Sequence, residues 1–194
     1  MGLPTVFVRL TGCPLRCGYC DTDYAFQGGE WLDVSDIVSR VLGFPTRHVT
    51  VTGGEPLAQK ACLELLVRLC DAGLDVSLET SGALDISGVD ARVARIVDVK
   101  TPGSGEVERN HWPNISLLSP RDEVKFVLTS ESDYLWAKVV LQEKSIADRC
   151  PVLFSPAWGQ LEAEDLAEWV LRDGLPVRMQ VQLHKILWRE ARGR

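Results

Sequence analysis

Cysteines 13, 17 and 20 constrain this chain more than any other feature. They lie in Thr11-Gly12-Cys13-Pro14-Leu15-Arg16-Cys17-Gly18-Tyr19-Cys20-Asp21-Thr22, directly after the strand-like run Thr5-Val6-Phe7-Val8-Arg9-Leu10. Thiolates are the soft ligands that iron–sulfur clusters and zinc take. Three of them are one short of closing either kind of site. The metal would keep an open position, which belongs to catalytic centres more than to structural ones. The rest of the chain then reads as apparatus for what binds there.

At 194 residues the chain suits one well-buried domain, here 1–194, better than two. Its 45% hydrophobic and 25% charged residues are ordinary for a globular protein. A formal charge of −6 argues against non-specific nucleic-acid binding, although the Arg-rich C-terminal tail offers a local basic patch. No run approaches the roughly eighteen apolar residues of a membrane span, and the N-terminus lacks the pattern of a signal peptide. A reducing cytoplasm is expected, where six cysteines read as metal ligands plus core thiols. Cys62 and Cys70 return to one face of a helix-period pattern beside Leu66 and Leu69, and Cys150 precedes an apolar run. All three read as buried thiols.

Strand and helix patterns alternate along the chain. Strands are expected at Pro4 to Leu10 (buried on both faces), Arg47 to Thr52, Leu74 to Thr80, Arg95 to Val99, Asp122 to Leu128, Pro151 to Phe154 and Val177 to Leu183. Helices are expected from Asp33, with the stripe Val34, Ile37, Val38, Val41 and Leu42, and over Leu57 to Ala72, Ser130 to Gln142 and Glu162 to Arg172. A short turn or helix is expected around Ser87 to Arg92, and Thr101 to Pro113 reads as an irregular loop. Strand-then-helix repetition means a parallel sheet covered by helices. The distinctive motifs follow strands: the cysteine loop, G-G-E-P at 53–56, E-T-S-G at 79–82, D-V-K at 98–100 and S-P-A-W at 155–158. In barrels and open α/β sheets alike, ligands bind at that edge.

C-x-x-x-C-x-x-C after the first strand and G-G-E-P after the second resemble the radical S-adenosylmethionine superfamily. The resemblance implies a [4Fe–4S] cluster on Cys13, Cys17 and Cys20, with S-adenosylmethionine on its open iron. Reductive cleavage of that cofactor yields a radical that abstracts a hydrogen atom from substrate. A narrower resemblance, to the 7-carboxy-7-deazaguanine synthase family, runs from Phe7 to Trp188. It rests on F-V-R-L-T-G-C, C-x-x-C-D-T, V-T-G-G-E-P, E-T-S-G, D-V-K-T-P, D-E-V-K-F-V, F-S-P-A-W-G and V-Q-L-H-K-I-L-W. It implies a partial (β/α) barrel of about six parallel strands, a homodimer, Mg²⁺ beside the cluster and an external one-electron reductant such as a flavodoxin. The reaction implied converts 6-carboxy-5,6,7,8-tetrahydropterin to 7-carboxy-7-deazaguanine with loss of ammonia.

Carried over residue by residue, the resemblance places Tyr19, Cys20, Asp21, Gly53, Gly54, Glu55, Asp98, Val99, Lys100, Ser155, Pro156, Ala157 and Trp158 around S-adenosylmethionine. The Glu55 carboxylate or a backbone carbonyl would take its ammonium group. Thr22 resembles the family's magnesium-binding threonine, and it equally suits an Asx-turn or helix cap with Asp21. Arg9 is either an inward fork for the substrate carboxylate or a surface-paired residue. Thr52 and Glu79 match substrate contacts, Glu79 toward the guanidine-like edge of the pterin or else into solvent. His184, placed on the last strand, either faces substrate or is structural. No protein acid or base is assigned.

The family also carries an N-terminal segment with a Gln-Gly-Glu motif, for which Met1-Gly2-Leu3-Pro4 leaves no counterpart. The pterin pocket is therefore expected to be less complete than the cluster and cofactor site. A glycyl-radical-enzyme activase shares the cysteine spacing and G-G-E-P; Asp21-Thr22, Arg9 and the Q-L-H-K run favour the synthase. A zinc-binding interaction domain is the rival without catalysis, but no fourth Cys or His follows at finger spacing.

Overall fold

The computed structural model of the protein describes residues 2–189. The basic tail expected beyond that point lies outside the described residues. Seven parallel strands form one sheet in the order in which they occur in the chain: β1 (Thr5–Leu10), β2 (His48–Gly53), β3 (Asp75–Thr80), β4 (Ala94–Val99), β5 (Glu123–Leu128), β6 (Val152–Pro156) and β7 (Arg178–Met179). Strictly sequential order with right-handed crossovers winds a sheet one way, as in a barrel. β1 and β7 do not pair with each other, so the barrel stays open. The helices are α1 (Val34–Leu42), α2 (Ala61–Asp71), α3 (Glu131–Glu143), α4 (Ala163–Asp173) and α5 (Leu183–Trp188).

Alternation along each strand sorts the sheet into two unlike faces. Val49, Val51, Val76, Leu78, Val97, Val99, Val124, Phe126, Leu128, Val152 and Phe154 belong to the core under the helices and are buried. Leu65, Leu66 and Leu69 of α2 and Tyr134, Ala137 and Leu141 of α3 pack against them. Each buried Val, Leu or Phe among them contributes about 1.5–3 kcal/mol. The intervening residues face the concave side and are mostly polar: Arg9, Thr50, Thr52, Ser77, Glu79, Asp98, Lys125 and Ser155. Thr50 and Ser77 share a 2.8 Å hydrogen bond, and Thr52 donates to Glu79 at 3.1 Å. A concave face of this chemistry is built to hold a polar ligand instead of a packed apolar plug.

Several sequence expectations are corrected. β1 is an edge strand, so only Val6, Val8 and Leu10 reach the core, while Phe7 is 56% exposed. Leu42, counted in the α1 stripe, is exposed. α2 begins at Ala61, after a separate 3₁₀ turn at Pro56–Ala58 that the Glu55 side chain caps through Leu57 N–H. The turn-or-helix expectation at 87–92 resolves as turns at 87–88 and 91–92, with Ile86, Val89 and Val93 of that link buried over the sheet where a helix would lie. The stretch expected to be irregular folds into 3₁₀ turns at Pro102–Ser104, Val107–Arg109 and Trp112–Leu117. The strand expected over 177–183 shrinks to two residues, and His184 lies in α5 instead.

Buried polar anchors account for the order of the Pro102–Ser104 turn. Asp133, 1% exposed in the first turn of α3, accepts hydrogen bonds from Gly103 N–H (2.8 Å), Thr101 Oγ1 (3.0 Å), Thr129 N–H (3.0 Å) and Thr129 Oγ1 (2.8 Å). A side chain at Gly103 would fall 2.1 Å from Thr129 Oγ1 and 2.4 Å from Asp133 Oδ2, so only glycine fits. No helix of the described residues is long and apolar enough to cross a membrane.

Candidate active site at the C-terminal edge of the sheet

The cysteine loop leaves the end of β1 and folds over the ends of β2 and β4. Gly54 N–H donates to Leu10 O (3.0 Å) and Glu55 N–H to Gly12 O (2.8 Å), which fixes the loop on the G-G-E-P turn. Glycine is obligatory at both positions of that turn. Gly53 has φ +153° and a Cβ there would meet Leu10 O at 1.9 Å; one at Gly54 would meet Gly12 O at 2.3 Å and Cys13 Cβ at 2.9 Å. On the far side Gly18 N–H donates to Ser104 O (3.0 Å), and Gly12 N–H donates to Ala25 O (2.8 Å). Arg16 ties the loop to itself through Cys13 O (2.8 Å) and Leu15 O (2.6 Å) and lies 4.3 Å over the Phe26 ring.

All six cysteines are free, and Cys13, Cys17 and Cys20 are half-buried on this loop. Among the described residues no three His, Cys, Asp or Glu side chains converge closely enough to hold a single metal ion. Zinc needs its sulfurs at about 2.3 Å from one centre, whereas a cubane takes its thiolates at separate corners, which three cysteines on one loop can supply. Burial pushes the Cys17 thiol up, against a lowering effect from Lys100, and burial likewise raises Cys20. The remaining thiols are apart from this site. Burial lifts Cys62 to about 12 and Cys150 to about 11, which keeps both protonated and unreactive.

Beneath the loop sits a buried polar cluster. Lys100 is 6% exposed and its Nζ lies 3.0 Å from Asp98 Oδ2 and 5.8 Å from the centre of the Tyr19 ring. Burial works to lower the Lys100 pKa, but Asp98, Tyr19 and Cys17 together outweigh it, so the ammonium is held charged. The Tyr19 phenol is raised by burial and then by Asp98, so it stays a neutral donor. Tyr19 Oη and Asp98 Oδ1 are buried without a hydrogen-bond partner, as is Gln182 Oε1. Orphaned buried polar atoms are rare. Tyr19 and Asp98 lie close enough to interact electrostatically, and Gln182 bonds to Asp21 beside Cys20, so all three flank the cysteine loop, where a polar ligand would complete them. Together with three thiols on an open loop, they fit an iron–sulfur cluster carrying an amino-acid-bearing nucleoside.

The other sequence-selected residues divide. Glu55 is 0% exposed, and its carboxylate is occupied by Leu57 N–H (3.0 Å), Thr80 Oγ1 (2.9 Å), Ser81 N–H (2.6 Å) and Ser81 Oγ (2.5 Å). It locks β2 to the end of β3, and its side chain is not free for a ligand's ammonium group. Val99 points into the core, and Ser155, Pro156 and Ala157 are buried at the end of β6, whereas Trp158 is 53% exposed. Arg9 stands on the concave side of the edge strand, its guanidinium 5.7 Å from the Tyr24 ring. The Thr22 hydroxyl donates to Asp21 Oδ1 (2.8 Å) and makes no side-chain cap on the 3₁₀ turn that follows. Asp21 also accepts from Gln182 Nε2 at 2.7 Å and stands 3.9 Å from His184 Nε2, so the C-terminal segment closes onto the cysteine loop.

Sequence reading missed two residues here. Gln182 went unmarked because the alternation of Val177 to Leu183 read as strand, which hid a contact across the whole chain. Lys125 went unmarked because a lysine between Val124 and Phe126 reads as the solvent side of a half-buried strand. Its signal was the concave side it shares with Asp98, its register partner on β4.

The family model for the radical SAM superfamily matches residues 7–140. A 7-carboxy-7-deazaguanine synthase of Chlorobaculum tepidum is 49% identical across 99% of this chain and 89% of that protein. One of Koribacter versatilis is 38% identical across 96% and 89%. The solved structure of QueE from Escherichia coli superposes with a TM-score of 0.67 at 23% identity, covering 92% of this chain and 86% of that one, and so shares the fold. Thiols on a loop at the sheet edge, a polar concave face and near full-length similarity converge: the chain belongs to the radical SAM superfamily and, within it, to the 7-carboxy-7-deazaguanine synthase family.

Proposed function

We propose that this chain converts 6-carboxy-5,6,7,8-tetrahydropterin to 7-carboxy-7-deazaguanine with loss of ammonia. The observation that carries the reading is the 49% identity, over 99% of the chain, to a protein named for that product. When bound, the [4Fe–4S] cluster and S-adenosylmethionine supply hydrogen-atom abstraction. Cys13, Cys17 and Cys20 would hold the cluster, and the loop contacts at Gly12, Gly18 and Arg16 hold those thiols in place. Tyr19, Asp98 and Lys100 would line the cofactor, offering two buried groups that await partners and one fixed positive charge. Gly53 and Gly54 bring backbone close to it, and Ser155 to Trp158 flank it from β6.

On the concave side, Thr52 donates to one oxygen of Glu79, and the other oxygen would accept from the pterin's guanidine-like edge. Arg9 serves the opposite rim, and His184 reaches the site through its place beside Asp21. Thr22 and Asp21 together present oxygen atoms of the kind Mg²⁺ prefers. The same reading includes an external one-electron reductant of flavodoxin type, a homodimer and a cytoplasmic setting.

The test is anaerobic incubation of reconstituted protein with the carboxytetrahydropterin, S-adenosylmethionine, Mg²⁺ and dithionite, followed by mass analysis of product and ammonia. Formation of the deazaguanine acid with equimolar ammonia supports the proposal. Iron-loaded protein that cleaves S-adenosylmethionine yet leaves the pterin intact overturns it.

A further inference from the structure

The concave face carries an ammonium group with no assigned task. On β5, Val124, Phe126 and Leu128 are all 0% exposed against the helices, which sends Lys125 to the opposite side, in register with Asp98 of β4. Among the described residues the Lys125 ammonium makes no hydrogen bond and no ion pair, its backbone being paired in the sheet. Lys100, by contrast, is matched to Asp98 at 3.0 Å. A half-buried ammonium left without an acceptor is costly to fold around unless a ligand supplies one.

Its surroundings say what sort of ligand that is. Burial pulls the Lys125 pKa down, but Glu79 first, then Asp98 and Asp21, push it up against the opposing charge of Lys100. The group is thus kept protonated by carboxylates that do not themselves bond to it. Those carboxylates have other commitments: Glu79 to Thr52, Asp98 to Lys100, and Asp21 to Thr22 and Gln182. Glu79 and Lys125 stand two strands apart and two residues out of register, about 12 Å at the usual strand spacing and rise. A flat bicyclic heterocycle with donors at one end and a carboxylate at the other spans that gap. Arg9 lies two strands from Glu79 on the other side, on the edge strand at the open rim, away from Asp98 and Lys100.

Resting on the function proposed above, we propose that Lys125 is a carboxylate-binding residue of this active site, its ammonium gripping an anionic oxygen of a bound ligand at the centre of the barrel. Two ligands bring a carboxylate to this space, the pterin and S-adenosylmethionine, and the chemistry is common to both. Lys125→Met keeps the aliphatic length and removes the charge; Lys125→Arg restores it.

Calorimetric binding to cluster-loaded, non-reduced protein separates the sources. The probes are 7-carboxy-7-deazaguanine and its decarboxylated counterpart, then S-adenosylmethionine and its decarboxylated counterpart. Lys125→Met is expected to weaken one carboxylated probe by about 10- to 100-fold, to leave its decarboxylated twin unchanged, and to be rescued by Lys125→Arg. Whichever pair shows that split names the source. Equal losses for carboxylated and decarboxylated probes, or no loss for any, overturn the inference. The proposed activity has its own readout: if unsubstituted protein makes no product, that reading fails while the binding split still decides the role of Lys125.

Discussion

Replacing Gly54 by alanine tests how the fold holds the cysteine loop. The new Cβ would stand 2.3 Å from Gly12 O and 2.9 Å from Cys13 Cβ, and neither neighbour is the free end of a flexible side chain. Restoring ordinary contact distances requires the Gly12–Cys13 backbone to retreat by about 1 Å. That movement strains two hydrogen bonds, Gly54 N–H to Leu10 O at 3.0 Å and Glu55 N–H to Gly12 O at 2.8 Å. Overpacking costs about 1–3 kcal/mol, and the two bonds about 1 kcal/mol each, for a total of roughly 3–5 kcal/mol. A domain with about 5–15 kcal/mol of stability survives that loss, but with Cys13 displaced. The expected result is a folded protein with a lowered melting temperature that retains well under half of the normal iron and sulfide after anaerobic reconstitution. Gly18→Ala is the matched control on the same loop: its φ is not positive, and its Cβ would meet only Gly103 O at 3.8 Å, an ordinary contact. It should load its cluster normally. Full iron and sulfide in Gly54→Ala, or equal losses in both variants, would refute the argument.

Two further outcomes follow from buried groups. Tyr19→Phe removes a buried hydroxyl that has no partner in the protein, so the ligand-free variant should melt at or above the parent temperature while S-adenosylmethionine binds about tenfold more weakly, measured by thermal denaturation and calorimetry. Asp122, 1% exposed, accepts from Arg95 Nε (2.9 Å) and Nη2 (2.6 Å). Burial opposes its ionisation, but Arg95 and Ser119 outweigh burial and leave its pKa below the usual 3.8. A depressed folded-state pKa gives stability that is present above about pH 4 and lost as pH falls through the folded value. Asp122→Asn should therefore cost about 3–5 kcal/mol near neutrality and flatten the acid limb of a denaturation-versus-pH curve; an unchanged limb would count against this assignment.

What the sequence disclosed follows from how local each signal is. The cysteine loop was legible because ligand spacing is itself the chemistry. The sheet was legible because Val49, Val51, Val76 and Leu78 alternate with polar residues over short runs. The packing role of Glu55 was hidden because its partners, Thr80 and Ser81, arrive from the next strand, and nothing in G-G-E-P announces them. The edge position of β1 was hidden for a related reason: Thr5 to Leu10 is apolar enough for a central strand, and only strand order decides what covers Phe7. His184 was placed on a strand because alternation persists through residues that close the first turn of α5. Lys125 shows the same limit, since a concave and an outer polar position look alike until a barrel curves.

The grip of Gln182 on Asp21 fastens the last segment of the chain to the residue next to a cluster thiol. Free-energy coupling runs equally in both directions. Any change in how firmly Asp21 is held, cluster loading included, would therefore be felt at Gln182 by the same free energy, and a change at Gln182 would be felt at Asp21.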